Sequence, residues 1–268
     1  VKRVRLDDEM IAQGICADRA DALRMLMAGE VSARGERLSS PGMRVEPGIE
    51  IHVKGRLPFV GRGGLKLAGA LDAFAFDPAD LTCIDIGCST GGFTDCLLKR
   101  GARRVVAVDV GRAQFAWSLR NDPRVELLER TNVLDVPGLG YASMFDLAVC
   151  DVSFTGIAHI IDAVCELLAP GGVFLTLVKP QFEAAADEVG EGGVVRDPSV
   201  RRAVLERAVR VLAGHGLAPF GVSTSPITGA KGNIEFFLIA RMGMLEDGRL
   251  PDEAARAVLS QVEGVVGA

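Results

Sequence analysis

No run in this sequence reaches the roughly 20 consecutive apolar residues that a bilayer-spanning helix needs, because Arg, Asp, Gly or Pro interrupts each one. A membrane-spanning helix is not expected. The opening residues Val1 to Asp7 lead into no apolar h-region, so export by a signal peptide is not expected either, and a soluble cytoplasmic protein is. The six cysteines, Cys16, Cys83, Cys88, Cys96, Cys150 and Cys165, form no CxxC pair and lie mostly in apolar segments. They read as buried reduced thiols, not a disulfide frame or a zinc site. His52, His159 and His215 are unclustered, so no metal is expected. There is no internal repeat. With 35 acidic against 30 basic residues the net charge is -5, and the chain is no polycation. Any contact with nucleic acid must come from a local basic face. Lysine is scarce: Lys2, Lys54, Lys66, Lys99, Lys179 and Lys231 are all there are. Arginine does the routine surface work, so a lysine at a strand end is informative.

What is present is a core. Hydrophobic residues make up 49% of 268, enough for one large domain or one with a small module. Before Arg56 the pattern is that of a small α+β unit. Leu6, Met10, Ile11 and Ile15, then Ala22, Leu23, Met25, Leu26 and Met27, recur at helical spacing on two short pieces separated by Gly14. Asp18 suits the cap of the second piece, with Asp21 in its first turn, and Gly29 its end. Val31-Ser32-Ala33, a turn at Arg34-Gly35 and Ile49 to Val53 predict short strands. Three segments follow: 1–55 as the small unit, 56–61 as a linker, 62–268 as the large domain.

In the large domain, apolar runs at Leu81 to Ile86, Arg104 to Val110, Arg124 to Leu128, Phe145 to Cys150 and Val173 to Val178 suit parallel strands buried on both faces. Helical patterns lie between them, at Gly92 to Arg100, Ile157 to Leu168 and Ser199 to Leu212. The alternation predicts a doubly wound, Rossmann-like α/β sheet. Gly221 to Ser225 and Ile234 to Ala240 predict an antiparallel pair at one edge. Leu245 to Leu259 predicts a final amphipathic helix.

The strongest motif is Cys83-Ile84-Asp85-Ile86-Gly87-Cys88-Ser89-Thr90-Gly91-Gly92-Phe93: a strand, a glycine-bearing turn and a helix. Such a turn lies where open α/β sheets bind ligands, but its spacing is G-x-x-x-G-G where a dinucleotide would want GxGxxG. Asp85 before the turn favours an amine-bearing ligand over a diphosphate. Asp109, ending the next strand, can accept from both hydroxyls of an adenosine ribose. Together they point to S-adenosylmethionine, with Gly87, Ser89, Thr90, Gly91, Gly92 and Phe93 around it and Asn132 as an adenine contact. Phe115 lies close enough after Asp109 to approach adenine; it, Trp117 and Tyr141 otherwise read as packing. Each carboxylate also has a plain reading as a strand-end turn former.

Charged residues interrupt three further apolar strands. Asp151 stands at the mouth of the fourth, Lys179 at the mouth of the fifth, and Glu235 in an otherwise apolar late strand; Lys66 follows Gly63-Gly64. Singly these read as a turn, a solvated tip and an edge-strand charge. Jointly, two lysines and two carboxylates converge near the ligand cleft.

The motif set Arg62-Gly63-Gly64-Leu65-Lys66-Leu67, Asp85-Ile86-Gly87 with Thr90-Gly91-Gly92-Phe93-Thr94, Cys150-Asp151-Val152-Ser153-Phe154, Val178-Lys179-Pro180-Gln181-Phe182-Glu183 and Gly229 to Phe236 resembles the TlyA (hemolysin A) family. That family joins an S4 RNA-binding domain to an FtsJ-like methyltransferase domain, and the resemblance runs from about Lys2 to Arg241. It implies a K-D-K-E catalytic tetrad on Lys66, Asp151, Lys179 and Glu235. It further implies S-adenosylmethionine-dependent 2'-O-ribose methylation of RNA, ribosomal RNA being the usual substrate. The implied chemistry has Lys179 assisting the ribose hydroxyl as base or as oxyanion partner. Asp151 and Glu235 would orient it, and Lys66 would place the ribose or share the charge network.

The amino-terminal part resembles S4, with departures at Asp18-Arg19 and Ala33-Arg34-Gly35. Its charges nearly balance, so RNA binding requires a clustered face, for which Arg3, Arg5, Arg19, Arg24, Arg34 and Arg37 are the candidates. Three rivals compete: a membrane-active hemolysin, a methyltransferase for a small metabolite or protein, and a noncatalytic RNA-binding protein with a vestigial donor fold. The acidic tail, with Glu246, Asp247, Asp252 and Glu253, is a poor match to anionic lipid.

Overall fold

A computed structural model describes residues 3–13, 15–55, 58–153 and 155–267. The expectations for Gly14, for the linker residues Arg56 and Leu57, and for Lys2 and Phe154 as motif members fall outside these residues. The chain divides into two compact units, Val1–Pro58 and Phe59–Ala268.

The first unit runs β1 (Val4–Arg5), α1 (Leu6–Ala12), α2 (Arg19–Ala28), β2 (Val31–Ala33), β3 (Glu36–Arg37), β4 (Arg44–Val45) and β5 (His52–Val53). Asp18 caps α2 by accepting from Asp21 N at 2.8 Å, and Gly29 ends it with φ 71°. The Arg34-Gly35 turn joins β2 to β3, and β2 also pairs with β5. The extended strand expected over Ile49 to Val53 shrinks to His52–Val53. Leu6, Met10, Ala22, Leu26 and Val31 form its small core.

The second unit runs α3 (Arg62–Ala73), β6 (Thr82–Ile86), α4 (Gly92–Lys99), β7 (Arg104–Asp109), α5 (Trp117–Arg120), β8 (Val125–Glu129), β9 (Phe145–Cys150), α6 (Ile161–Leu167), β10 (Leu168–Val178), α7 (Pro180–Glu183), α8 (Pro198–Gly214), β11 (Leu217–Thr224), β12 (Phe236–Met242) and α9 (Pro251–Val266). Among the described residues the sheet has seven strands in the order β11-β12-β10-β9-β6-β7-β8. Neighbours from β10 to β8 run parallel, and β12 is antiparallel to both β10 and β11.

Period-two alternation explains why these strands are apolar throughout. Ile84, Ile86, Val106, Val108, Ala148 and Cys150 face one core, covered by α6, α8 and α9. Cys83, Val105, Ala107, Leu147 and Val149 face the other, beneath α3 and α4. Charged side chains are costly within such a sheet, so they gather near its strand ends, with Asp85, one residue before the end of β6, the buried exception.

Several details differ from expectation. Helix α3 was not foreseen, since Gly63 and Gly64 lower helix propensity in its first turn. The helix predicted over Ile157 to Leu168 splits into a 3-10 turn, Ile157–His159, and α6. Strand β10 begins at Leu168, with an irregular register before Val173. Glu235 is not in an edge strand: it directly precedes β12, which lies between β10 and β11. Phe115 and Tyr141 pack as expected, with Tyr141 stacked on Phe145, but Trp117 is 77% exposed. No disulfide forms among the described cysteines, and burial pushes the Cys83, Cys96 and Cys150 thiols up to about 12. Among the described residues no helix is long and apolar enough to cross a membrane, and no His, Cys, Asp and Glu group is placed to hold a metal ion.

Candidate active site

The carboxyl ends of β6, β9 and β10 and the start of β12 meet at one edge of the sheet. Register makes the juxtaposition. Ile86 pairs with Cys150, which sets Gly87 beside Asp151; Val178 pairs with Phe236 in antiparallel register, which sets Lys179 opposite Glu235.

The turn after β6 is shaped by its glycines. Gly91 has φ 93°, and a Cβ there would meet Leu119 Cδ1 at 2.5 Å and Phe115 Cε2 at 2.9 Å. At Gly92 a Cβ would lie 2.9 Å from Gly64 N, so the bare Cα lets α4 start against α3. Phe93 is buried behind the turn. Thr90 Oγ1 occupies the space beside Gly61. Ser89 N donates to Asp109 Oδ2 at 2.7 Å and Gly111 N to Oδ1 at 2.6 Å, which fixes the Asp109 carboxylate at the end of β7.

A cleft of about 490 Å³ runs along this edge, lined by Gly87, Ser89, Asp109, Asn132 and Asp151, together with Val110, Gln114, Leu134 and His159. It has the size of a small-molecule site. Asn132 faces it while its Oδ1 accepts from Leu134 N at 3.1 Å, capping the 3-10 turn that follows. A second cavity of about 180 Å³ shares Gly87, Ser89, Asp151 and Ser153 with it and adds Asp85, Thr90, Gly92, Phe93 and Lys179. Phe115 packs against Gly91 and does not line the large cleft.

Asp85 is fully buried. Its Oδ2 accepts from Thr94 N at 2.9 Å and Thr94 Oγ1 at 2.6 Å, while Oδ1 has no hydrogen-bond partner. Burial pushes this carboxyl up to about 7 despite the two Thr94 bonds. A buried acceptor without a donor is costly. An ammonium group in the smaller cavity would supply one, and the amino acid portion of S-adenosylmethionine carries such a group. The residues therefore fit that donor: Asp85 at its charged end, Asp109 and Asn132 along the larger cleft.

Four charged side chains form two ion pairs. Lys179 Nζ lies 2.6 Å from Asp151 Oδ1 and donates to Ser153 Oγ at 3.0 Å. Lys66 Nζ lies 2.5 Å from Glu235 Oε2, and Glu235 Oε1 accepts from Gln181 Nε2 at 3.0 Å. Both lysines are only about one-tenth exposed. Ser153, Gln181 and Thr94 were not anticipated as partners, although each lies within two residues of a singled-out position or inside the glycine-turn motif. The signal available was proximity alone, since their roles are set by contacts across strands.

The arginines of the first unit are largely neutralised. Arg5 and Arg19 converge on Asp7 and Asp8, with closest pairs at 2.6 Å each. Arg24 pairs with Asp21, and Arg34 lies 2.6 Å from Glu46. The guanidinium of Arg37 lies across Gly29, and Arg3 is exposed.

A mostly parallel seven-stranded sheet with one antiparallel strand near its edge, and acidic strand ends around a glycine turn, define the class as a Rossmann-like methyltransferase. A model of the FtsJ-like methyltransferase family matches residues 59–242. Over 264 residues the chain is 44% identical to YqxC of Bacillus subtilis, an rRNA methyltransferase by name, covering 97% of this chain and 94% of that protein. It is 42% identical over 245 residues to the 16S/23S rRNA (cytidine-2'-O)-methyltransferase TlyA of Mycobacterium tuberculosis, covering 90% of each. A solved structure from Streptococcus thermophilus, named as a hemolysin, superposes with a TM-score of 0.71 at 38% identity, covering 99% of this chain and 95% of that one. The chain belongs to the FtsJ-like methyltransferase family, alongside its TlyA members.

Proposed function

We propose that this enzyme methylates ribose 2'-hydroxyls of ribosomal RNA in the cytoplasm, using S-adenosylmethionine, with Lys66, Asp151, Lys179 and Glu235 as its catalytic set. The observation that carries the reading is Lys179: a nearly buried ammonium, held by Asp151 and Ser153, on the wall of the cavity that also presents Asp85 and the glycine turn. When bound, S-adenosylmethionine supplies an electrophilic methyl carbon. The chain supplies the rest. A ribose hydroxyl is a poor nucleophile near neutral pH, so its oxygen needs a neighbour that takes or shares its proton. Lys179 Nζ takes that proton when it is the neutral amine; as the ammonium paired with Asp151 it instead stabilises the developing oxyanion while the proton passes to water. Asp151 fixes the lysine, and Lys66 with Glu235 braces the opposite side and places the ribose. Asp85, Gly87, Ser89, Thr90, Gly91, Gly92, Phe93, Asp109 and Asn132 hold the donor.

The amino-terminal unit acts as an S4-like RNA-holding module through its arginines, Arg3, Arg5, Arg19, Arg24, Arg34 and Arg37. Its ion pairs mean that phosphates must compete with Asp7, Asp8, Asp21 and Glu46 for four of them. The name hemolysin on related structures and on a related protein keeps membrane lysis as the rival. The test is incubation of wild type and Lys179→Ala with labelled methyl donor and ribosomal subunits, followed by nucleoside mapping. Label in a 2'-O-methylnucleoside, lost in the variant, is the expected result. Label on a base or a protein, or liposome leakage undiminished by Lys179→Ala, would overturn it.

A further inference from the structure

The chain's single tryptophan is on its surface. Trp117 is 77% exposed, whereas Phe115 and Leu119 on either side of it are 5% and 6% exposed. Those two neighbours press against Gly91 of the glycine turn, where no Cβ would fit. Between them Ala116 N donates to Thr90 O at 3.1 Å, and Asn121 Nδ2 donates to Trp117 O at 2.9 Å. The segment is thus fastened to the donor turn by the Ala116 backbone bond and by the Phe115 and Leu119 side chains on either side of the indole. Indole is the largest apolar side chain, and burial of such a ring ordinarily stabilises a fold. Here the anchoring residues hold it in water, one residue from a contact with the turn that lines the Lys179 cavity.

Charge around it points the same way. Arg120 and Arg124 are neutralised by Glu129 and Asp122. Arg112, exposed on the segment that leads into α5, makes no ion pair within 4.0 Å among the described residues. An exposed aromatic face with an exposed guanidinium that lacks a close ion-pair partner and has only the longer-range charge of Glu129 near it, on the same segment, matches a nucleotide: base on the ring, phosphate on the cation.

We propose that Trp117 is a stacking platform for an unpaired nucleobase of the RNA substrate, next to the nucleotide being methylated, with Arg112 against its phosphate. This rests on the RNA reading above. Stacking is tolerant of base identity because every base has a π face, so the platform holds the strand without reading its sequence.

Because Trp117 is the only tryptophan, its fluorescence reports this one position. The full-length protein is titrated with a short unstructured oligoribonucleotide, with an abasic ribose-phosphate oligomer of the same length, and with S-adenosylhomocysteine alone. The expected result is quenching by the first only. In filter binding, Trp117→Ala should weaken the oligoribonucleotide about 10-fold, the effect of one stacked base, with Trp117→Phe intermediate. S-adenosylhomocysteine affinity should be unchanged, which shows that the variants are folded. In methylation assays the substitution should raise KM for RNA and spare kcat. Emission typical of buried indole in the free protein, quenching by S-adenosylhomocysteine alone, or equal quenching by the abasic oligomer would overturn the proposal. The parent reading fails separately. If wild type methylates no RNA while base-dependent quenching persists, the platform stands; if methylation is normal and no quenching occurs, the platform falls.

Discussion

The two lysine–carboxylate pairs are alike in geometry and unlike in surroundings. In the Lys66–Glu235 pair the side chains are 11% and 2% exposed, and Gln181 takes the remaining carboxylate oxygen. In the Lys179–Asp151 pair the carboxylate is 21% exposed, and the ammonium's other side-chain partner, Ser153, is itself on the surface. One pair is enclosed by its protein partners; the other opens onto a cavity. A buried charge left without its partner is expensive, while a charge that water can reach is not. The enclosed pair should therefore carry stability as well as activity, and the open pair activity nearly alone.

The largest effect is expected at the open pair. Lys179→Ala should lower kcat by about 100-fold or more, the contribution typical of a positioned proton-transfer group. Its melting temperature should stay close to wild type. A large loss of stability would show that Lys179 is a structural brace and would erase the contrast. At the enclosed pair, Lys66→Met should cost about 3–5 kcal/mol, because Glu235 is left buried opposite an apolar chain. Adding Glu235→Gln should restore most of that stability without restoring methyl transfer. Denaturant unfolding of the two single variants and the double variant checks this; additive losses would mean that the pair is not coupled.

Asp85 extends the comparison to a buried carboxylate with no lysine at all. Its pKa is raised from 3.8 to about 7, burial being the largest cause. The folded state thus binds the proton more tightly than the unfolded state. Well below pH 3.8 both states are protonated and the group costs nothing. As pH rises toward 7 the unfolded chain releases its proton first, so this group progressively lowers stability, by at most about 4 kcal/mol above pH 7. Asp85→Asn should remove that slope, with a gain in melting temperature that is larger at pH 8 than at pH 5. The same variant should lose affinity for S-adenosylhomocysteine if, as proposed, the carboxylate receives its ammonium in the smaller cavity. A variant with the same gain at both pH values would show that Asp85 is not protonated on folding.

The sheet and its site were unevenly legible in the sequence. Apolar runs buried on both faces have no period to mistake, so β6, β7, β9 and the late antiparallel pair were predictable; Asp151 and Lys179 stood out as charges where such runs stop, and Asp85 as one just before its run ends. Helix α3 was hidden by two glycines whose cause is distant: the close approach of Gly92 to Gly63 and Gly64. The irregular start of β10 runs through Pro170-Gly171-Gly172, which reads as a turn. Ser153 and Gln181 were visible as residues but not as partners, because their hydrogen bonds cross from one strand end to another. Trp117 was read as packing on residue type alone; its exposure follows from Phe115 and Leu119 taking the space behind the turn. In the first unit the strands of two or three residues carry too little alternation to be bounded from sequence.

The smallest effect concerns the arginines of that first unit, where ion pairs lie on the surface. Arg19 meets Asp8 at 2.6 Å with both side chains well exposed, so the pair adds little stability. Arg19→Ala should leave the melting temperature almost unchanged. If the arginine exchanges Asp8 for an RNA phosphate, the variant should weaken binding uniformly across RNA sequences and reduce the slope of log K against log salt by about one unit. Asp8→Asn separates the two roles: it frees the arginine from its competitor and should strengthen binding at low salt, the opposite sign to Arg19→Ala. Equal weakening by both variants would instead mean that the Arg19–Asp8 pair shapes the unit. The arginine would then not contact the nucleic acid, and Arg3 and Arg37, which the described ion pairs leave uncompensated, would become the residues to test.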